Sequence, residues 1–129
     1  MRRQDMKAGT KSHSKLPTEH DEQCGVVSWF RHQFPRVLIF AIPNGEKRSI
    51  SVAKRLKAEG VKRGIPDLYV PEWSLWIEMK RRKGGVLSKD QKNVIGYIES
   101  IGHTVIVGRG AADASAQILA FVKEKFDKG

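Results

Sequence analysis

Three side chains in one short stretch of the chain have types and a spacing that suit chemistry on a metal ion or a phosphate: Asp67, Glu78 and Lys80. The residues around them alternate between apolar and polar types, which predicts two strands, 67–70 and 75–80, joined by a four-residue connection. In the antiparallel register that keeps the apolar side chains on one face, Asp67 lies opposite Glu78, and Lys80 shares their face. The predicted hairpin therefore brings two carboxylates and an ammonium group together.

Two carboxylates in directly opposed strand positions repel each other, because their Cβ atoms lie about 4.5–5.5 Å apart. A shared proton would relieve the repulsion. A divalent cation would also relieve it, since Mg²⁺ is commonly held by one or two carboxylates together with phosphate oxygens of a substrate. From its position, Lys80 would reach a nucleophilic water or a phosphate. The alternative is an ordinary surface hairpin with a solvated polar face, because these residue types are common on strands.

The elements that must position this hairpin follow from hydrophobic periodicity, capping signals and turn residues. Helices are predicted over residues 18–34, 50–59, 88–101 and 111–126, and strands over residues 37–42, 67–70, 75–80 and 104–107. The order α-β-α-β-β-α-β-α predicts an α/β fold with a mixed β-sheet flanked by helices. The strand at 37–42 is expected to be buried, because all six residues are apolar.

Each predicted helix has an apolar stripe that should face the core. The side chains expected inward are Val26, Val27, Phe30 and Phe34; Val52, Ala53 and Leu56; Val94, Ile95, Ile98 and Ile101; and Ala114, Ile118, Phe121 and Val122. On the first helix, the same stripe extends back to Glu19 and Glu22. An acidic side chain on an inward stripe needs a partner, and a metal ion is one. The alternative is that these acids only favour a helix N-terminus.

Composition narrows the class of partner. The chain has 129 residues, 24 Lys and Arg against 14 Asp and Glu, and a net charge of +10. This length predicts a single domain, residues 18–129, after a basic flexible tail, residues 1–17. The charge favours a polyanion, most often nucleic acid, over an acidic membrane surface. Apolar runs are too short to span a membrane and the start lacks a signal-peptide pattern, so a cytoplasmic protein is expected.

The single cysteine excludes an internal disulfide and a cysteine-based zinc cluster. Cys24 lies in the first predicted helix and is expected to be a small packing residue.

Together with its flanking elements, the hairpin resembles the VRR-NUC branch of the PD-(D/E)XK nuclease superfamily. The matching elements, in family order, are Glu19 to Gln23, Pro43-Asn44-Gly45 with Arg48, Ala53 to Gly60, Gly64-Ile65-Pro66-Asp67, Glu78-Met79-Lys80, and Leu87-Ser88 with Gln91. The resemblance covers residues 18 to about 122. It implies a restriction-endonuclease-like core and a Mg²⁺- or Mn²⁺-dependent DNA endonuclease. The branch includes small phage and prophage nucleases and the nuclease domain of the Fanconi-associated nuclease.

The resemblance also implies roles for individual residues. Asp67, Glu78 and the Met79 carbonyl would be metal ligands, and Glu19, rather than Glu22, would be the remote acid. Lys80 would orient the water and stabilise negative charge. Gln91 would contact the water or hold Lys80, although it is also suited to a capping box with Ser88.

Residues near the implied site are candidates for DNA binding: Asn44, Arg48, Lys54, Arg55 and Arg81. Asn44 has an alternative as a turn residue only, and each basic side chain has an alternative as an ordinary solvated charge. Trp73 and Trp76 would stack on bases or pack at an interface.

The resemblance finally implies a homodimer that acts on branched DNA such as four-way junctions, in the cytoplasm of a bacterial host that carries a phage or prophage. Two alternatives stay open from the residues alone. One is a non-catalytic DNA-binding module of the same fold. The other is a sequence-specific restriction-type endonuclease.

Overall fold

The computed structural model describes residues 15–43 and 49–127. These residues form helices α1 (Glu19–Gln33), α2 (Ile50–Ala58), α3 (Lys89–Ser100) and α4 (Ala111–Asp127), and strands β1 (Phe40–Ala41), β2 (Leu68–Val70), β3 (Leu75–Lys80) and β4 (Thr104–Arg109). A 3₁₀ turn, Pro71–Trp73, joins β2 to β3. The predicted order of helices and strands is confirmed. Most of the predicted tail, together with Asn44 and Arg48, lies outside the described residues.

The strands form one mixed sheet in the order β1-β2-β3-β4. Both β1 with β2 and β2 with β3 pair antiparallel, whereas β3 and β4 pair parallel, with α3 in the crossover between them. The hairpin register is the predicted one, since Val70 pairs with Leu75 and Leu68 with Ile77. This confirms the predicted α/β fold with a mixed sheet flanked by helices.

The apolar face of the hairpin forms the centre of the core. Its five predicted members are fully buried: Leu68, Val70, Leu75, Ile77 and Met79. They lie in one cluster with buried side chains of α1 and α4, so these two helices cover this face of the sheet. Trp73 is in the same cluster, in edge contact with Phe30 and Phe34. The expectation that Trp73 stacks on bases or packs at an interface was wrong.

The predicted buried strand at 37–42 was wrong in extent and burial. Only Phe40 and Ala41 form β1, and Leu38 and Phe40 are 61% and 42% exposed. The reason is the sheet order, because β1 lies at the edge and only Ile39 of this stretch is buried. An apolar run of this kind does not show where its strand stands in a sheet.

Some predicted inward side chains of the helices also differ. In α2, Val52 and Leu56 are half-buried and Ala53 is exposed, because this short helix packs only loosely on the other described elements. In α3, Val94 and Ile98 are buried, but Ile101 is 56% exposed because the helix ends before it. No described helix has both the length and the apolar content to cross a membrane.

A close backbone contact sets the N-terminus of α3 against the loop that leads into β2. Gly64 has a φ of +88°, and a Cβ there would lie 2.6 Å from the Asp90 carbonyl oxygen. Only glycine combines this left-handed backbone with so close an approach. The loop therefore holds the first turn of α3, which carries Gln91, at a fixed distance from the start of β2.

Replacing Gly64 by Ala should lower the free energy of unfolding by about 1–3 kcal/mol, because the residue strains the backbone and displaces α3. Urea unfolding followed by circular dichroism measures the change. The matched control is Gly96→Ala in α3, where a Cβ meets no atom within 4 Å. That substitution should be neutral or stabilising by up to about 1 kcal/mol. Equal effects of the two substitutions would contradict the close contact at Gly64.

Candidate active site

The two carboxylates of the hairpin lie close to the start of β2. At this point β3, the longer strand, extends beyond β2. Asp67 directly precedes β2, and its Oδ2 accepts a hydrogen bond of 2.7 Å from the Met79 backbone N–H. The side chain thus takes the place of a strand partner for Met79. Because the N–H and C=O of one strand residue point to the same side, the Met79 carbonyl faces Asp67 as well. Glu78 precedes Met79 and is 1% exposed.

The amide of Gln91 connects the two charged side chains of β3. Its Nε2 donates to Glu78 Oε2 at 2.7 Å, and its Oε1 accepts from Lys80 Nζ at 3.1 Å. Lys80 Nζ also lies 3.4 Å from Glu78 Oε2. The same Oε1 accepts from the Ser88 N–H at 2.9 Å, within the predicted capping box. The predicted capping box is therefore confirmed, and the same amide contacts both charged side chains of β3.

The stem of Lys80 is held by the chain that follows β3. A Cβ on Gly85 would lie 3.0 Å from Lys80 Cβ and 3.2 Å from its Cδ. The absence of a side chain at residue 85 lets the backbone pack directly against the lysine. Lys80 is 8% exposed, which is low for a lysine. Its ammonium group consequently has one defined position, beside Glu78 and Gln91.

Burial dominates the electrostatics of the carboxylates. It raises the pKa of Glu78 from 4.5 to about 7; the nearby Asp67 charge adds to the rise and Lys80 opposes it. Burial also raises the pKa of Asp67, while its hydrogen bond from Met79 lowers it. The Oε1 atom of Glu78 is buried without a hydrogen-bond partner. A buried acceptor in this state is costly, so a cation beside it would satisfy an unmet demand.

The oxygen atoms available as metal ligands near Glu78 fit a hard divalent cation. Asp67, Glu78 and the Met79 carbonyl supply only oxygen, which Mg²⁺ and Mn²⁺ prefer. Within residues 15–43 and 49–127, no group of three or more His, Cys, Asp and Glu side chains converges on one metal position. Asp67, Glu78 and the Met79 carbonyl would thus form only a partial ligand set, which water and substrate phosphate would complete.

The two acids of α1 have different surroundings. Glu22 is 3% exposed, and its Oε2 accepts from Arg82 Nε at 2.8 Å while its Oε1 accepts from the Ala111 N–H at 2.9 Å. Its carboxylate is engaged in joining α1 to the N-terminus of α4, and this excludes it as the free acid of the site. Glu19 is close enough to Asp67 and Glu78 for its charge to raise the pKa of both.

The expectation that Glu19 lies on the inward stripe was wrong, because its side chain is exposed. It is the first residue of α1, at the rim of a groove that also contains Asp67. The packing role expected for Cys24 was wrong for a related reason. Cys24 is exposed in the same groove, and its Sγ lies 3.5 Å from His20 Nε2.

The three candidate DNA contacts among the described residues lie on the surface. Lys54, Arg55 and Arg81 are exposed, and Arg55 forms an ion pair of 3.9 Å with Glu59 on the same helix. Trp76 lies on the carboxylate face as predicted, stacked on Tyr69 with ring centroids 4.1 Å apart. Its Nε1 donates to His103 Nδ1 at 3.0 Å. Its protein neighbours therefore account for its position.

Sequence reasoning missed the pairing of Arg82 with Glu22. The sequence separation of 60 residues hides this contact from any local pattern. One signal in the sequence could have indicated the pair. Glu22 falls on the buried stripe of α1, and a buried acid needs a cation. Arg82, which directly follows β3, was a candidate for that cation.

Without metal, the free energy of unfolding should fall as the pH rises from 4.5 to about 7. The folded state holds the proton of Glu78 more tightly than the unfolded state does, so ionisation favours unfolding over this interval. The full effect is at most about 3 kcal/mol. Urea unfolding in EDTA at a series of pH values measures it.

The Glu78→Gln variant should lose this part of the pH dependence, whereas Glu124→Gln, an exposed change on α4, should keep it. A slope that is the same in wild type and Glu78→Gln would contradict the assignment to Glu78.

Comparisons with known proteins give one informative result. No family model matches the chain, and no curated protein matches it. Among solved structures, a VRR_NUC domain protein superposes with a TM-score of 0.71 at 25% sequence identity, over 84% of this chain and 91% of that chain. Together with the motifs of the hairpin, this likeness over most of both chains supports the VRR-NUC domain family for the protein.

Proposed function

We propose that the protein is a Mg²⁺- or Mn²⁺-dependent deoxyribonuclease that hydrolyses phosphodiester bonds. The observation that carries the proposal is the buried Glu78 carboxylate, which has one oxygen bound to Gln91 and the other without a partner beside Asp67. A purely structural acid would have both oxygens satisfied, as Glu22 does. The likeness to a VRR_NUC domain protein points to a nuclease-like domain and thus to DNA as substrate.

A divalent ion, when bound, lowers the pKa of a water and neutralises charge at the phosphate. We assign its protein ligands as Asp67, Glu78 and the Met79 carbonyl, with Glu19 at the rim. Binding of the ion would be favourable, because it would neutralise the repulsion between the Asp67 and Glu78 carboxylates.

The remaining chemistry falls to Lys80 and Gln91. The Lys80 ammonium has three N–H donors and keeps one for a water or a phosphate oxygen beside its contacts with Gln91 and Glu78. It would orient the attacking water and stabilise the negative charge that develops at phosphorus. Gln91 fixes both Lys80 and Glu78, so its removal would loosen the donor and the metal ligand together.

The basic surface would hold the DNA backbone. Lys54, Arg55 and Arg81 are exposed cations of the kind that bind phosphates without reading sequence. Asn44 and Arg48 remain candidates for the same role on the basis of the resemblance.

Purified protein should cleave labelled DNA in Mg²⁺ or Mn²⁺ and not in EDTA. Linear duplex, flap and four-way-junction substrates on a denaturing gel test the activity and its preference. Lys80→Ala should reduce cleavage by at least about 10²-fold while DNA binding persists, because one transition-state donor is worth about that factor. Lys92→Ala, an exposed lysine on α3, is the control and should cut normally.

Absence of cleavage with every metal and substrate would contradict the proposal that the protein is a nuclease. DNA binding in that case would favour the non-catalytic module, and a single preferred duplex sequence would favour a restriction-type enzyme.

Thermal unfolding separates the roles of the residues. Mn²⁺ should raise the unfolding temperature of Lys80→Ala, which keeps the proposed ligands, more than that of Asp67→Asn, which loses one.

We further propose that two copies pair and act on branched DNA such as four-way junctions. The edge strand β1 supports this, because its two residues and the neighbouring Leu38 are exposed. An exposed sheet edge is a template for pairing with a second copy about a two-fold axis. Light scattering at micromolar concentration should give twice the chain mass, and a monomer mass would contradict the dimer.

A further inference from the structure

A long groove runs between α1 and the end of β1 with the chain that follows it. It has a volume of about 870 Å³. Glu19 and Asp67 stand at one end, and Arg31 and His32 stand at the other. Arg31 is twelve positions after Glu19, which is a rise of about 18 Å along the helix. The groove therefore begins at the proposed metal site and extends over nearly the whole length of α1.

The lining of the groove changes character along this length. Between these ends, apolar lining from Val27, Ala41 and Pro43 stands beside the polar Gln23 and Ser28. The far end is cationic, and Arg31 there is exposed, with a full charge and five N–H donors. His32 Nδ1 lies 3.4 Å from the Ser28 carbonyl oxygen on the same helix. One end thus suits a metal-bound phosphate, the middle suits sugars or bases, and the far end suits a second phosphate.

We propose that this groove holds a single DNA strand that leads away from the carboxylates, with Arg31 as its distal phosphate contact. The inference rests on the proposed nuclease function and deepens it. It specifies how the cut strand is held: the nucleotides next to the scissile bond are unpaired where they lie in the groove, as at the branch point of a junction. Arg31 would be a binding residue, because it stands at the opposite end of the groove from Glu19 and Asp67.

The lining of the groove favours one strand over two. The apolar lining agrees with this occupant, because an unpaired strand exposes its bases, whereas a duplex presents mainly phosphates to a protein surface.

The charge pattern gives the strand its position. Without a cation, Glu19, Asp67 and Glu78 would repel a phosphate, so the anchor independent of the metal is the cationic end. An ordinary solvated arginine would affect DNA binding only through the overall charge of +10. A groove contact predicts a larger effect for Arg31 than for an equivalent charge elsewhere on the surface.

Equilibrium binding tests this difference. The probes are a labelled oligothymidylate and a labelled blunt duplex of equal length, in Ca²⁺, with strand integrity checked on a denaturing gel. Arg31→Gln should weaken binding of the oligothymidylate severalfold and reduce the slope of log K against log[salt] by about 1. Lys125→Gln is the matched control, because it removes one exposed charge from the last turn of α4, as Arg31→Gln does from α1.

The one cysteine of the chain provides a second readout that needs no substitution. Cys24 lies in the groove and is exposed, so N-ethylmaleimide should alkylate it. Saturating oligothymidylate should slow alkylation severalfold, measured by mass spectrometry, and the blunt duplex should protect it less. This readout also covers the case in which Arg31→Gln unfolds, since it uses the wild-type protein.

The outcomes separate the two proposals. If DNA binds but Cys24 is alkylated at the unprotected rate, or Arg31→Gln behaves as Lys125→Gln does, the groove assignment is overturned and the nuclease proposal stands. Equal protection by the blunt duplex would overturn the single strand as occupant. If neither DNA binds at all, both the groove assignment and the proposed function are overturned.

Discussion

The burial of one carboxylate is the constraint on which the site depends. Glu78 lies on a strand that is paired on both sides, and it is 1% exposed. Desolvation raises its pKa to about 7, and only one of its two oxygens has a partner. Such a group is unstable as an isolated anion, so it favours either a proton or a cation. The neighbouring Asp67 strengthens the demand for positive charge, and among the described residues Lys80 supplies the cation that acts on Glu78.

The rest of the structure fixes the surroundings of that carboxylate. The parallel pairing of β3 with β4 requires the crossover through α3, and the first turn of α3 supplies Gln91 to both Glu78 and Lys80. The tight approach of Gly64 to Asp90 sets the distance between this turn and the start of β2. Stability and function are thus joined in one place, because the same hydrogen bonds that cap a helix hold the charged groups of the site.

Helix α1 has two faces with separate tasks. Its buried face packs Val26 and Phe30 on the sheet and bonds Glu22 to Arg82 and Ala111, which ties the helix to α4 and to the end of β3. Its other face lines the groove that starts at Glu19 and Asp67 and ends at Arg31. The division explains why two acids only three residues apart have different roles, one satisfied inside the protein and the other at the rim of an open groove.

The sequence by itself determined the order of the elements, the hairpin register and the side chains that share the carboxylate face, because alternation, capping boxes and turn residues act between near neighbours. It left open whether Glu19 or Glu22 is the free acid and misplaced Phe40, Trp73 and Cys24. Only the tertiary structure decided these points. The partners of Glu22 lie 60 and 89 residues away, and the burial of β1 depends on its place at the sheet edge. Desolvation and long-range hydrogen bonds depend on which elements pack together, and no local pattern encodes that packing directly.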